Sequence, residues 1–180
     1  FDNRDGVVTI ISITNVDTRA DATDVDVEFI YIGRFGANGQ ELNCGEFNRT
    51  ETLTPGDTLT ALTNVHNPEH EQGYVYAFAK NGQNQPISYN WLTGNMMTVD
   101  GLTTFEYSVN PVAYLGIPEE GQVADLDDDT YLDMNGCEYS ANPDRILIPR
   151  FLGQGGPYQS ELIFIGLTGG TQFDTTVDFL

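Results

Sequence analysis

Along much of this chain, apolar and polar residues alternate with period 2. In DVDVEFIYI, Asp24 to Ile32, Val25, Val27, Phe29 and Tyr31 share one face, and Asp24, Asp26 and Glu28 share the other. A strand with one buried and one solvated side carries this pattern. GYVYAFA, Gly73 to Ala79, alternates in the same way, and VVTIISIT, Val7 to Thr14, is β-branched almost throughout. Polar links such as NVDTRADAT separate these runs, as connections between antiparallel strands do. Pro55-Gly56-Asp57 parts two threonine-rich runs and predicts a turn.

Further strands are predicted at ISYNWL, TTFEYSV, VAYLGI, RILIPRFL, SELIFIGL and QFDTTVDFL. Pro149 has no ladder N–H to give, so its strand belongs at an edge or a bulge. No window carries helical periodicity. Roughly nine or ten short strands spaced by turns predict an all-β fold: an immunoglobulin-like or jelly-roll antiparallel β-sandwich. A chain of 180 residues fits one such domain, taken here as 1–180.

Charge narrows the partners. The chain has 27 acidic residues against 7 Lys plus Arg, a formal net charge of −20. Nucleic-acid binding rests on cations that neutralise phosphates, so nucleic acid is excluded as a partner. Self-repulsion at this charge is relieved by salt or divalent cations, which points to a saline or calcium-rich setting. The longest clean apolar run is LIFIGL, Leu162 to Leu167, far short of the ~20 residues a membrane-spanning helix needs. Membrane insertion is therefore not expected.

Chemistry concentrates in one stretch. ADLDDDTYLDMNGCEY, Ala124 to Tyr139, holds five aspartates and no Lys or Arg. Asp125, Asp127, Asp129, Tyr131 and Asp133 occupy alternate positions, as oxygen donors do in calcium loops, with Tyr131 offering its carbonyl. Thr130 stands where an EF-hand has its sharp-turn glycine, and Gly136 where it has its bidentate glutamate. Asn135 and Glu138 are the candidates to supply the missing oxygens. The expected ligand is Ca²⁺; the competing reading is a hydrated acidic turn. The loop is similar to the calcium loops of bacterial surface proteins, which lack flanking helices.

The two cysteines, Cys44 and Cys137, suggest one disulfide and an oxidising compartment. Such a bridge would tie the acidic loop to ELNCGEF. His66 and His70 are spaced by four, but Pro68 interrupts and no metalloprotease motif surrounds them, so an exposed loop is expected. There is no G-x-S-x-G, P-loop or G-x-G-x-x-G, and catalysis is not expected. Tyr89 and Trp91, at i and i+2, are either core residues or a platform on which a sugar stacks.

The strand–polar link–strand opening and LTPGDTLT resemble immunoglobulin-like sandwiches of exported bacterial proteins. DLDDDTYLDMNGCEY, PDRILIPRFLGQ and TTVDFL look like segments of a group of exported bacterial proteins. The resemblance implies a β fold and export to the cell surface or beyond, and it assigns no catalytic residue. Terminal strand-like runs, from Val7 and up to Leu180, are candidates for exchange between copies. Head-to-tail contacts that do not close would build a fibre. The expected function is a non-catalytic extracellular structural or adhesive protein that self-associates or meets a cell-surface partner. The alternative is a calcium-dependent carbohydrate-binding module.

Overall fold

The computed structural model describes residues 1–129, 131–141, 153 and 155, with the side chains of Asn43 and Cys44 outside that description. The runs RILIPRFL, SELIFIGL and QFDTTVDFL, and the terminal run ending at Leu180, lie outside the described residues.

Among the described residues the chain forms seven strands and one helical turn. In chain order these are β1 (Val7–Asn15), β2 (Val25–Gly36), β3 (Glu41–Leu53), β4 (Thr58–Leu62), α1 (Thr63–His66), β5 (His70–Lys80), β6 (Leu92–Asp100) and β7 (Phe105–Val109). They make two antiparallel sheets, one ordered β4-β1-β6-β7 and the other β3-β2-β5. The protein is all-β, with two sheets packed through one core.

The period-2 runs decide the core. Val25, Val27, Phe29 and Tyr31, the apolar face of β2, are buried and pack on Ile11 of β1 and Leu53 of β3. The opposite face of β2 carries Glu28, whose carboxylate meets the ammonium of Lys80, the chain's single lysine, at 2.5 Å. Cross-strand partners share a face, so Arg49 and Glu51, opposite Phe29 and Val27, lie beside the core.

Two local choices differ from the sequence expectation. ISYNWL is not a strand: Ile87 makes one bridge to Val123, and β6 starts only at Leu92. The strand proper, LTGNMMTVD, holds Gly94 and Asn95, which are poor strand formers. A Cβ on Gly94 would lie 2.7 Å from the Ser12 carbonyl oxygen, so glycine permits the close approach of β1. VAYLGI contributes a single bridge, Gly116 to Tyr139.

Pro55-Gly56-Asp57 does form a turn. The Asp57 N–H donates to the Thr54 carbonyl at 3.0 Å, and Gly56 has φ +79°. It is a corner rather than a hairpin, because β3 and β4 belong to different sheets. The histidines are also corrected: both are buried rather than in an exposed loop. His66 Nδ1 shares a 2.7 Å hydrogen bond with the Tyr31 hydroxyl inside the core. Glu51 Oε1 lies 3.4 Å from His66 Nε2 without hydrogen-bond alignment. His70 packs where a side chain on Gly33 would stand.

Candidate metal centre

The acidic stretch is clamped at both ends. At its start, Ile87 bridges Val123 and the buried Ala124 donates its N–H to the Pro86 carbonyl at 2.9 Å. At its end, Ile117 N–H donates to the Glu138 carbonyl and Ser140 N–H to the Leu115 carbonyl, each at 2.8 Å. Within the loop, Tyr139 N–H reaches the Asp133 carbonyl at 3.1 Å, and Gly136 N–H reaches the Tyr139 carbonyl at 2.8 Å. The segment therefore has a closed path and two anchors.

Glu138 is the hub. It is only 2% exposed. Its Oε1 accepts the Leu126 N–H at 2.6 Å, and its Oε2 accepts the Asp133 N–H at 2.9 Å. A buried carboxylate has to be paired or hydrogen-bonded, and here two backbone donors do this. Both oxygens retain lone pairs for a further ligand.

Asp125, Asp127 and Glu138 come together, each offering a carboxylate oxygen, and these oxygens lie within 4.8 Å of one another. A group of this kind can hold a metal ion. Lost hydration, and then the carboxylates of Asp129, Glu138 and Asp125, push Asp127 above the ordinary carboxylate range. The direction matches crowded anions, which a cation would relieve.

The other expected ligands have different partners. Asp129 Oδ1 accepts the Tyr131 N–H at 2.9 Å, bending the chain just after Asp128, which has φ +60°. Asn135 Oδ1 accepts the N–H groups of Cys137 and Glu138, and its amide donates to Asp133 Oδ2 at 3.2 Å. Tyr131 is exposed. The acids that converge are the first, the third and the distant Glu138, with Asn135 turning the chain so that Glu138 returns inward. A buried acid after an Asn-Gly turn was the available signal; its service to Leu126 and Asp133 depends on the folded path.

Cys137 is an exposed free thiol in this structure. The Cys44 side chain, the other half of the expected pairing, lies outside the described residues.

Tyr89 and Trp91 sit at the other end of the β5–β6 connection. The Tyr89 hydroxyl donates to Asn15 Oδ1 at 2.8 Å, and its ring packs against the core. The Arg19 guanidinium lies 4.9 Å from the centre of the Trp91 ring. Arg19 also pairs with the buried Asp17 at 2.7 Å and with Glu120. Lost hydration pushes the Tyr89 phenol up, and Arg19 holds the Asp17 carboxyl below its usual range. Tyr89, Arg19, Asp17, Glu120, Asp24 and Lys80 line an open cleft of about 600 Å³. Nothing in the sequence pattern brought Arg19 to this cleft.

No family model, curated protein or solved structure matches this chain.

Proposed function

We propose that this is an exported, non-catalytic structural or adhesive protein of the extracellular space or cell surface. In this reading it is an immunoglobulin-like or jelly-roll sandwich whose acidic corner binds Ca²⁺, and it self-assembles through its terminal strands. The observation that carries the calcium part is the convergence of Asp125, Asp127 and Glu138. Ca²⁺ takes six to eight oxygens at about 2.3–2.6 Å, so three carboxylates would need carbonyl or water oxygens beside them. Asp129, Tyr131, Asp133 and Asn135 are the remaining expected donors that would supply these. The net charge of −20 supports the same reading, since a divalent cation offsets self-repulsion.

Thermal unfolding in calcium and in EDTA tests the site. Calcium at 100 times its Kd stabilises the native state by about 2.7 kcal/mol, so the melting temperature should drop clearly in EDTA. A melting temperature that EDTA leaves unmoved sinks the structural calcium site. Light scattering in millimolar calcium tests assembly; monomers alone, with and without calcium, would end that part.

A second reading, a calcium-dependent carbohydrate-binding module, is favoured by one observation: the open cleft combines the Tyr89 ring with charged hydrogen-bonding groups. A glycan array without hits removes it, as does binding that survives Tyr89→Ala and Trp91→Ala.

A further inference from the structure

The sequence holds three Asn-Gly pairs: Asn38-Gly39, Asn81-Gly82 and Asn135-Gly136. In each, the glycine has no side chain to shield its amide nitrogen from the neighbouring carboxamide. By local sequence the three pairs are alike. The fold separates them at the glycine N–H, the group that has to attack. Gly39 N–H donates to the Gly36 carbonyl, and Gly136 N–H donates to the Tyr139 carbonyl, each at 2.8 Å. Each of these bonds has to open before its nitrogen can act as a nucleophile. Gly82 N–H makes no hydrogen bond among the described residues. Gly82 is also exposed, and nothing lies within 4 Å of where a Cβ would stand.

The carboxamide beside Gly82 is held in a closed turn. Asn81 Oδ1 accepts the N–H groups of Gln83 and Gln85, each at 3.0 Å. Asn81 N–H donates to the Gln85 carbonyl at 3.0 Å, Asn84 N–H donates to the Asn81 carbonyl at 2.9 Å, and Lys80 bridges Pro86. Two donors on Oδ1 favour the charge that develops on this oxygen when Cγ is attacked. Asn135 Oδ1 also accepts two backbone donors, so this feature is shared. The unbonded glycine N–H is what sets Asn81 apart.

We propose that Asn81-Gly82 is a self-modification site, which converts to aspartate and isoaspartate ahead of the other two pairs. The Gly82 nitrogen gives up its proton and forms a bond to Asn81 Cγ. The Cγ–Nδ2 bond breaks, and Nδ2 leaves as ammonia with that proton. Nothing is oxidised or reduced. Solvent water then opens the resulting imide ring at one of its two carbonyls, which leaves aspartate or isoaspartate at position 81. Asn81 and Gly82 line the open cleft together with Asp24, Asp26 and Lys80. Conversion therefore adds a carboxylate to that wall, and isoaspartate also adds a backbone carbon to the turn. The proposal does not depend on calcium, on carbohydrate binding or on assembly.

Isotope labelling tests it on the full wild-type chain. The protein is kept in heavy-oxygen water at mildly alkaline pH, folded in one arm and in concentrated urea in the other. Peptide mass spectrometry then follows label uptake at each of the three asparagines. In the folded protein, Asn81 should convert roughly 2–10-fold faster than Asn38 or Asn135, the effect of one hydrogen bond that need not open. In urea the three rates should converge. A lead by Asn38 or Asn135 in the folded protein, or equal rates at all three, would overturn the proposal. So would a lead by Asn81 that persists in urea, because local sequence would then account for it.

Discussion

Replacing Glu138 with Gln separates what the fold takes from this residue and what a cation takes. The side chain keeps its size but loses its charge, and one of its oxygens becomes an NH₂ group. The wild-type carboxylate accepts the N–H groups of Leu126 and Asp133. Whichever way the amide turns, one of these buried donors faces another donor. An unsatisfied buried group costs about 1–3 kcal/mol. The surviving bond changes from charge-assisted to neutral, a further ~1 kcal/mol. The sum is about 2–4 kcal/mol. Opposing this, without metal, is relief of repulsion: oxygens within 4.8 Å repel by about 1 kcal/mol at water-like screening for the Asp125–Glu138 pair, and Asp127 adds to it. With calcium bound that repulsion is already cancelled, and the variant also loses a ligand. Urea unfolding of both proteins, in EDTA and in calcium, should therefore show a larger penalty in calcium. Amide exchange at Leu126 and Asp133 should accelerate by about 10²-fold in the variant, the equivalent of ~2.7 kcal/mol. Equal penalties with and without calcium would remove the cation from Glu138. Unchanged exchange at both amides would refute the hydrogen-bond accounting.

Three further outcomes follow from the packing. Phe29→Ala empties a fully buried site on β2 and should cost about 3–5 kcal/mol in urea unfolding. Phe35→Ala, on the same strand but 37% exposed, should cost far less; equal costs would contradict the placement of the core. Acid should destabilise the protein through His66. Burial, and then Arg49, hold its pKa below the ordinary 6.5, against a smaller pull from Glu51. As pH falls through 6.5 the unfolded chain takes up a proton that the fold resists, so stability drops between pH 7 and pH 5. His66→Gln should flatten that slope relative to wild type, and an identical slope would refute the assignment. Gly116→Ala should unseat the acidic loop, since a Cβ there would lie 2.4 Å from Ser88 Oγ and 2.9 Å from Ser88 Cα. Overpacking of this kind costs about 1–3 kcal/mol, and calcium binding should weaken with it; full stability and full calcium binding together would show that the Gly116–Tyr139 bridge is not needed.

The sequence by itself determined the class of structure. Period 2 at Val25–Tyr31 and Tyr74–Phe78 states which side chains share a face, and each face is a local property of a pleated strand. It also determined the acidity of the 124–139 corner and the turn at Gly56. The tertiary structure alone decided which faces meet. β3 and β4 look like a hairpin in the chain but lie in different sheets, because pairing is settled between segments far apart in sequence. β6 was hidden by Gly94 and Asn95, whose place in a strand depends on the neighbouring β1 backbone. The histidines look polar and loop-bound until Tyr31 supplies a buried partner. Of the seven expected metal ligands, Asp125 and Asp127 converge with Glu138 because the Asn135 turn and the Leu115–Ser140 clamp fold the chain back. Alternation along a strand can be read residue by residue. Convergence of Asp125 and Glu138 depends on the whole path between them.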